Sequence, residues 1–164
     1  MLHFGMKPPF SFVVFLQKCQ DLISGDDLAA LESAADREIP LPPGSGAETS
    51  RRWRQFEQEL RNELAKLRAA RKKTDPLKYI RHDGSSQPSV IHIALSAYRN
   101  TSLMDAEKTL DMERWRFLDE LTVGHYFDID ALLVYASKLL ILLRWDKINR
   151  ADKTRLLQEA LELN

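Results

Sequence analysis

The segment from Ile129 to Trp145 is apolar on nearly every side of a helix, and this feature constrains the fold most. One face would carry seven of its apolar residues: Ile129, Leu132, Leu133, Ala136, Leu139, Leu140 and Leu143. Such a helix belongs in the centre of a bundle. Each fully buried Leu contributes roughly 1.5–3 kcal/mol, so we expect this helix to anchor the fold. Lys138 interrupts the run, which is shorter than the ~20 apolar residues of a membrane-spanning helix.

Apolar residues recur at helical spacing in most of the remaining sequence, and no strand alternation is present. The pattern therefore predicts an all-α fold, a bundle of six or seven helices joined by short turns and one linker rich in proline and glycine. Residues that can start a helix mark the boundaries: Ser11, Asp26, Ser50, Pro88, Thr101 or Ser102, Asp128 and, for a final helix, Asn149.

Length and composition favour one soluble domain. The 164 residues suit a single helical domain over 1–164, with a flexible linker at 37–50 that holds three prolines and two glycines. The 24 basic and 24 acidic residues cancel, so bulk charge favours neither nucleic acid nor acidic membranes. The single cysteine, Cys19, excludes an internal disulfide framework and is expected to be a small buried side chain. We therefore expect a cytoplasmic protein.

The helix expected over 51–73 has the strongest local charge asymmetry, with nine basic and three acidic residues. Clustered Arg and Lys are what phosphate contacts require. However, cations near the end of a helix also suit its dipole, and no recognition helix is evident. Nucleic-acid binding through this helix is therefore the alternative hypothesis, and a charged protein–protein surface is the preferred one.

The turn Gly-His-Tyr-Phe-Asp at 124–128 separates two helix-forming stretches. Gly124 suits the left-handed position after a helix, because glycine adopts a positive φ without steric penalty. Asp128 is expected to cap the next helix, and Tyr126 and Phe127 to pack beneath the turn. Two roles stay open for this corner: a structural joint between helices, or an exposed contact point for a partner.

The sequence predicts no catalytic residue, no metal site and no cofactor. The four histidines, His3, His82, His92 and His125, form neither an i, i+4 pair nor a Cys/His cluster. A hydrolase that uses His125 with Asp128 is a competing hypothesis, which needs both side chains to converge on a pocket. That hypothesis fails if Asp128 bonds to the N-terminus of its own helix.

Three stretches resemble a bacterial family of uncharacterised proteins encoded among the subunits of V/A-type ATPases. They are "FGMKPPFSFVVFLQKCQDLISGDDLAALE" near the start, "WRQFEQELRNELAKLRAARKKTDPLKYIR" at 53–81 and "RWRFLDELTVGHYFDIDALLVYASKLLILLRW" at 114–145. The segment from Leu121 to Leu132 is the most specific part. The family is more distantly similar to the C subunit of V-type ATP synthases, a longer protein of several helical lobes, so this chain would supply part of one lobe. Family members carry a short additional segment upstream, so we expect a truncated or alternative start here.

The resemblance implies a non-catalytic accessory or stalk-type component of a V/A-type proton- or sodium-translocating ATPase. Its partners would be other ATPase subunits on the stalk or membrane-ring side, which would place the protein at the periphery of the inner membrane without a spanning segment. No small-molecule substrate is expected. Because aromatic residues and arginine dominate binding hot spots, six residues are interface candidates: Trp53, Arg54, Arg114, Trp115, His125 and Tyr126. The alternative for each is core packing for the aromatics and solvation for the arginines.

Overall fold

The computed structural model describes residues 1–35, 47–81 and 84–162, with side chains described for 1–35, 48–81 and 84–151. Within these ranges the chain forms helices and no strand, which confirms the all-α prediction. The α-helices are α1 Phe12–Gln20, α2 Gly25–Ala35, α3 Ala47–Lys72, α4 Pro88–Tyr98, α5 Leu103–Leu121 and α6 Ile129–Glu162, and a 3-10 turn spans Pro76–Lys78. None of these helices, over the residues described, combines the length and hydrophobicity that crossing a membrane requires.

Side-chain oxygens begin most helices as local sequence chemistry predicts. Three predicted caps each accept a hydrogen bond from the backbone N–H three residues on: Ser11, Ser102 and Asp128. The cap predicted at Asp26 is wrong, because α2 begins at Gly25 and its cap is Ser24, two residues earlier. There Ser24 Oγ accepts from Asp27 N at 3.2 Å and donates to the Asp27 carboxylate at 2.9 Å. The first bond caps the backbone of α2, and the second joins the two side chains and holds the cap in place.

Two predicted boundaries differ from the observed ones. Helix α3 starts at Ala47, so residues 47–50 of the predicted 37–50 linker are helical, and residues 37–46 lie outside the described residues. The predicted final helix after Asn149 is not separate, because α6 runs unbroken through that position. A single Asn within a helix costs only ~0.7 kcal/mol or less relative to Ala, and neither glycine nor proline follows it to end the helix.

The chain divides into two compact units, one of residues 1–46 and 124–164 and the other of residues 47–123. A single domain over 1–164 therefore stays a prediction. In the first unit, α1 packs on α2 and α6, and α2 packs on α6. The rings of Phe15 and Tyr135 stack with their centroids 5.4 Å apart. Cys19, on the same helix as Phe15, is buried, and burial raises the pKa of its thiol, in agreement with a small core side chain.

In the unit of residues 47–123, α4 packs against both α3 and α5. Its buried core comprises Phe56, Leu60, Val90, Ala94, Ala97 and Leu110. The rings of Phe56 and Phe117 stack with centroids 4.3 Å apart and join α3 directly to α5. Trp53 stacks on both rings from the edge of this core. Aromatic pairs of this kind contribute about 0.5–1.5 kcal/mol beyond their buried area.

A buried ion-pair network also connects α3 to α5. The guanidinium of Arg114 donates to Glu57 at 2.5 Å and to Asp111 at 2.8 Å, and both carboxylates are almost completely buried. Burial alone lowers the pKa of Arg114, but attraction to Glu57 and Asp111 outweighs it, so the pKa is raised. The guanidinium therefore stays charged and fixes the register of the two helices.

All three acidic residues between Arg51 and Lys73 are turned inward. Besides Glu57, Glu59 is buried and accepts from Gln87 N at 2.9 Å, and Glu63 is buried and accepts from Lys66 at 2.6 Å. Most of the basic residues of the same helix are exposed. The outer surface of α3 is therefore more basic than the sequence count indicates.

Helix α3 ends at a left-handed residue that is not glycine. Lys73 has φ +53°, and the hydrogen bonds Lys73 N to Ala70 O and Thr74 N to Ala69 O close a Schellman motif. This position usually carries glycine, because a Cβ costs roughly 1–2 kcal/mol in the left-handed region. Lys73 therefore carries local strain.

We expect Arg114→Ala to destabilise the protein by about 3–5 kcal/mol, because it leaves buried carboxylates without their guanidinium. Arg116→Ala is the matched control on the same helix, since Arg116 also pairs with a carboxylate three residues earlier, Glu113. Its side chain is 63% exposed, against 13% for Arg114, so its loss should cost about 1 kcal/mol or less. Urea unfolding measures both, and equal losses would contradict the buried network.

We expect Lys73→Gly to stabilise the protein by about 0.5–1 kcal/mol, because relief of the left-handed strain exceeds the added entropy of the unfolded chain. Lys72→Gly, one residue earlier and inside α3, should instead destabilise by about 1 kcal/mol or less. Thermal unfolding of the two variants compares them directly, and a lower melting temperature for Lys73→Gly would contradict this description.

Candidate interaction site in the loop between α5 and α6

The loop from Gly124 to Asp128, here called the aromatic loop, links α5 to α6. Helix α5 closes with Thr122 N bonded to Asp119 O and the Thr122 hydroxyl donating to Leu118 O. Gly124 then has φ +88°, as predicted, and redirects the backbone without steric cost. The aromatic loop therefore begins at a glycine in the left-handed conformation, after the hydrogen bonds that close α5.

Asp128 fixes the other end of the aromatic loop with both of its carboxylate oxygens. Oδ1 accepts from Ala131 N at 3.0 Å, which caps α6, and Oδ2 lies 2.6 Å from His125 Nδ1. Asp130 adds a second carboxylate 3.8 Å from the same ring nitrogen. One side chain thus holds both the start of α6 and the imidazole three residues before it.

His125 and Asp128 shift each other's pKa in opposite directions. The hydrogen bond to Asp128, with the charges of Asp128 and Asp130, raises the pKa of His125 above its ordinary value of 6.5. The backbone hydrogen bond from Ala131, followed by the bond with His125, lowers the pKa of Asp128 below 3.8. The charged imidazolium therefore supports the fold below pH 6.5, and this support is lost as the pH rises through the raised pKa. The carboxylate contributes above pH 3.8, and its contribution is lost as the pH falls through the lowered pKa.

The aromatic loop exposes two adjacent aromatic side chains. Tyr126 is 79% exposed and Phe127 is fully exposed. The prediction that both pack beneath the turn is therefore wrong. Asp128 holds the backbone at the α6 end of the loop, and the rings are left exposed to solvent. The left-handed Gly124 and the Asp128 cap match the structural joint, and the exposed rings are compatible with a contact point, so both roles stay open.

His125, Asp128 and Asp130 are also the residues that could supply metal ligands in this region. One ligand atom from each lies within 4.8 Å of the others. The spacing His-x-x-Asp-x-Asp is the sequence signal that could have found this group. The cap and the ion pair already explain these contacts. Asp128 bonds to the N-terminus of its own helix, which argues against a hydrolytic pair with His125.

The remaining interface candidates lie in the unit of residues 47–123. Trp115 is buried. Arg114 is bonded to Glu57 and Asp111, so the alternative prediction that this arginine is solvated is wrong. Trp53 is half-buried in the aromatic stack. Arg54 is half-buried and has an interaction partner. Among the six candidates, His125 and Tyr126 are the two that the structure brings together in one loop.

A groove of about 520 Å³ lies between α3, α4 and α5 in the unit of residues 47–123. Phe56, Val90 and Phe117 form its apolar floor, and charged residues of both signs form its rim: Arg52, Glu113, Arg116 and Glu120. Arg116 and Glu113 are paired with each other. The mixed rim favours no single charge of ligand.

These features define an all-α protein with an exposed, locally fixed aromatic loop. Residues 91–162 match the model of a family described as "Protein of unknown function (DUF2764)". The match covers less than half of the chain and contains α5, the aromatic loop and all of α6. No curated protein and no solved structure matched the chain. Similarity to an uncharacterised family is thus confirmed for residues 91–162, whereas a likeness to the C subunit of V-type ATP synthases stays a prediction.

We expect an NMR titration of His125 to give a midpoint above 6.5, and Asp128→Asn to bring it down toward that value. Asn still offers a side-chain oxygen to cap α6, so the loop should persist. Asp130→Asn is the control, and its effect should be smaller because its oxygen lies 3.8 Å from Nδ1 rather than 2.6 Å. An unchanged midpoint in Asp128→Asn would contradict the proposed ion pair.

Proposed function

We propose that this protein is a non-catalytic component that binds another protein through the aromatic loop. A single observation carries this proposal: Tyr126 and Phe127 are exposed side by side on a loop that the bonds of Asp128 to Ala131 and His125 hold at its α6 end. Aromatic side chains supply much of the energy of protein interfaces. Burial of one Phe in a partner is worth roughly 1.5–3 kcal/mol.

The bonds that Asp128 makes in the loop make this exposure useful for binding. A flexible loop loses conformational entropy when a partner orders it, at about 0.5–1.5 kcal/mol for each immobilised side chain. Here the cap of α6 and the His125–Asp128 ion pair already restrict the backbone. A partner would therefore gain the burial of both rings at a smaller ordering cost.

The chemistry beside the two rings indicates the kind of surface that fits them. Asp128 and Asp130 follow the rings in the sequence, and these two carboxylates outnumber the one cation beside them, His125. Complementary interfaces place opposite charges across from one another. The proposed partner surface is therefore an apolar pocket with basic residues at its rim.

We further propose that the partner belongs to a V/A-type ATPase and that the protein acts there as an accessory or stalk-type component. The support is the resemblance of the stretches at 53–81 and 114–145 to proteins encoded with such ATPases. The aromatic loop lies within the second stretch, and it also lies near the middle of the region that matches the family of unknown function. In this role the protein would act by contacts alone, without a cofactor or a small-molecule substrate.

Nucleic-acid binding through the helix at 51–73 is the second candidate function. The inward position of Glu57, Glu59 and Glu63 favours it, because the outer face of α3 then presents mainly cations. It requires affinity for single or double strands that falls steeply with added salt. Absence of binding at low salt would eliminate it.

We expect affinity purification of the tagged protein from its native host to recover ATPase stalk subunits. The double variant Tyr126→Ala and Phe127→Ala should lose them, since both rings are exposed and contribute little to the fold. Leu22→Ala is the matched control, because it removes an exposed apolar side chain from the same compact unit. The control should recover as much as the wild type, as measured by quantitative mass spectrometry.

Two results would contradict parts of this proposal. Recovery of no ATPase component by the wild-type protein would exclude the assignment to the ATPase. Full recovery by the double variant would exclude the aromatic loop as the binding site. Circular dichroism of the double variant should match the wild type, so that a loss of binding is not a loss of fold.

A further inference from the structure

The C-terminal end of α3 and the 3-10 turn after it form a dense basic region, here called the basic tip (residues 68–81). Between Lys66 and Arg81 the chain has seven basic residues and one acidic residue, Asp75. Six of the basic side chains are exposed, and the structure shows no carboxylate paired with any of them among the residues it describes: Arg68, Arg71, Lys72, Lys73, Lys78 and Arg81. The seventh, Lys66, binds Glu63 and Gly84 O.

The basic tip also exposes two large apolar or aromatic side chains. Leu77 is 76% exposed and Tyr79 is 60% exposed. They lie on or next to the 3-10 turn, between Lys73 and Arg81 in the chain. Leu77 therefore contributes little to internal packing, and it lies in the chain among the cations of the basic tip, next to Lys78.

The turn that bears these side chains is held in place. Asp75 Oδ1 accepts from Leu77 N at 3.0 Å, and Tyr79 N donates to Pro76 O at 2.9 Å. The buried side chain of Asn62 on α3 makes two bonds to the backbone of Arg81, at 2.9 and 3.1 Å. These bonds hold the turn in a conformation that leaves the side chains of Leu77 and Tyr79 exposed to solvent.

Lys73 supplies an independent observation. Its left-handed conformation is one that glycine adopts without strain, so a lysine at this position is unfavourable for the fold. Backbone strain at a residue that the fold alone would not select is common at binding sites. The strain falls in the middle of the basic tip, where the lysine adds a charge.

We infer that the basic tip binds the surface of a membrane that contains anionic phospholipid. The six cations would contact headgroup phosphates, and Leu77 and Tyr79 would enter the boundary between headgroups and acyl chains. This combination of basic clusters with exposed Leu and aromatic residues is the general pattern of peripheral membrane attachment. Long Lys and Arg side chains can extend to the phosphates while the apolar residues lie deeper.

The exposed leucine favours a lipid surface over a nucleic acid. Phosphate contacts with nucleic acid would use the same cations, and Tyr79 could stack on a base. Leu77, however, would gain nothing from a phosphate backbone, whereas insertion at a lipid interface buries it. The cations also converge on one helix end and one turn, which suits a surface better than an extended strand.

The experiment is co-sedimentation of the full chain with phosphatidylcholine vesicles, with and without phosphatidylserine. The wild type should bind only the vesicles that contain phosphatidylserine. The triple variant Lys72→Gln, Lys73→Asn and Lys78→Gln should bind on the order of 100-fold more weakly. Asn tolerates the left-handed position, so the end of α3 should persist. Leu77→Ala, which keeps every charge, should bind about tenfold more weakly.

Matched controls separate this surface from general charge and from the aromatic loop. Arg52→Gln, Arg99→Gln and Lys108→Gln together remove three exposed cations from elsewhere in the same unit and should change binding by about twofold or less. The variant Tyr126→Ala with Phe127→Ala should bind vesicles like the wild type. A failure of the membrane inference would then be independent of the proposed partner site in the aromatic loop. Thermal unfolding should show all variants folded.

Three outcomes would overturn the inference. The first is no binding of the wild type to the anionic vesicles at low salt. The second is binding that the control triple weakens as much as the tip triple does. The third is an unchanged affinity for Leu77→Ala together with displacement of the protein from vesicles by single-stranded or duplex nucleic acid, which would assign the basic tip to nucleic acid.

Discussion

The burial of three glutamates on α3 is the constraint on which the unit of residues 47–123 depends. A buried carboxylate is costly unless cations or N–H donors satisfy it. Glu57 therefore requires Arg114 from α5, and Glu59 requires the backbone N–H of Gln87 at the start of α4. These bonds, with the Phe56–Phe117 stack, set which face of α3 points inward. The remaining face then carries its arginines and lysines outward by necessity.

The same principle of local anchoring operates at the two proposed surfaces. In the aromatic loop, Asp128 holds the backbone at the start of α6, and Tyr126 and Phe127 are exposed. In the basic tip, Asp75 and Asn62 hold the chain, and Leu77 is left outside. In both places polar bonds hold the backbone while one or two apolar side chains stay exposed. Exposed apolar groups on fixed backbone are suited to binding, because little ordering is then needed.

Local chemistry made much of the fold predictable. The caps at Ser11, Ser102 and Asp128 and the turn at Gly124 depend on residues within four positions of one another, and all are present. Predictions that needed orientation were less successful. Trp115 and Arg114 both suited an interface by residue type, yet the first is buried and the second serves a network that includes a partner 57 residues away in the chain. The exposure of Tyr126 and Phe127 was missed, because an irregular segment has no periodicity from which an inner face can be deduced.

The sequence by itself determined the class of fold, since apolar residues at helical spacing and the absence of strand alternation leave only helices to bury them. It also determined where most helices begin, because capping is a bond between near neighbours in the chain. Only the tertiary structure decided that the glutamates of α3 lie inside and its cations outside. Which face of α3 is buried depends on bonding partners from α4 and α5. The spacing of charges along α3 does not encode which helices will pack against it.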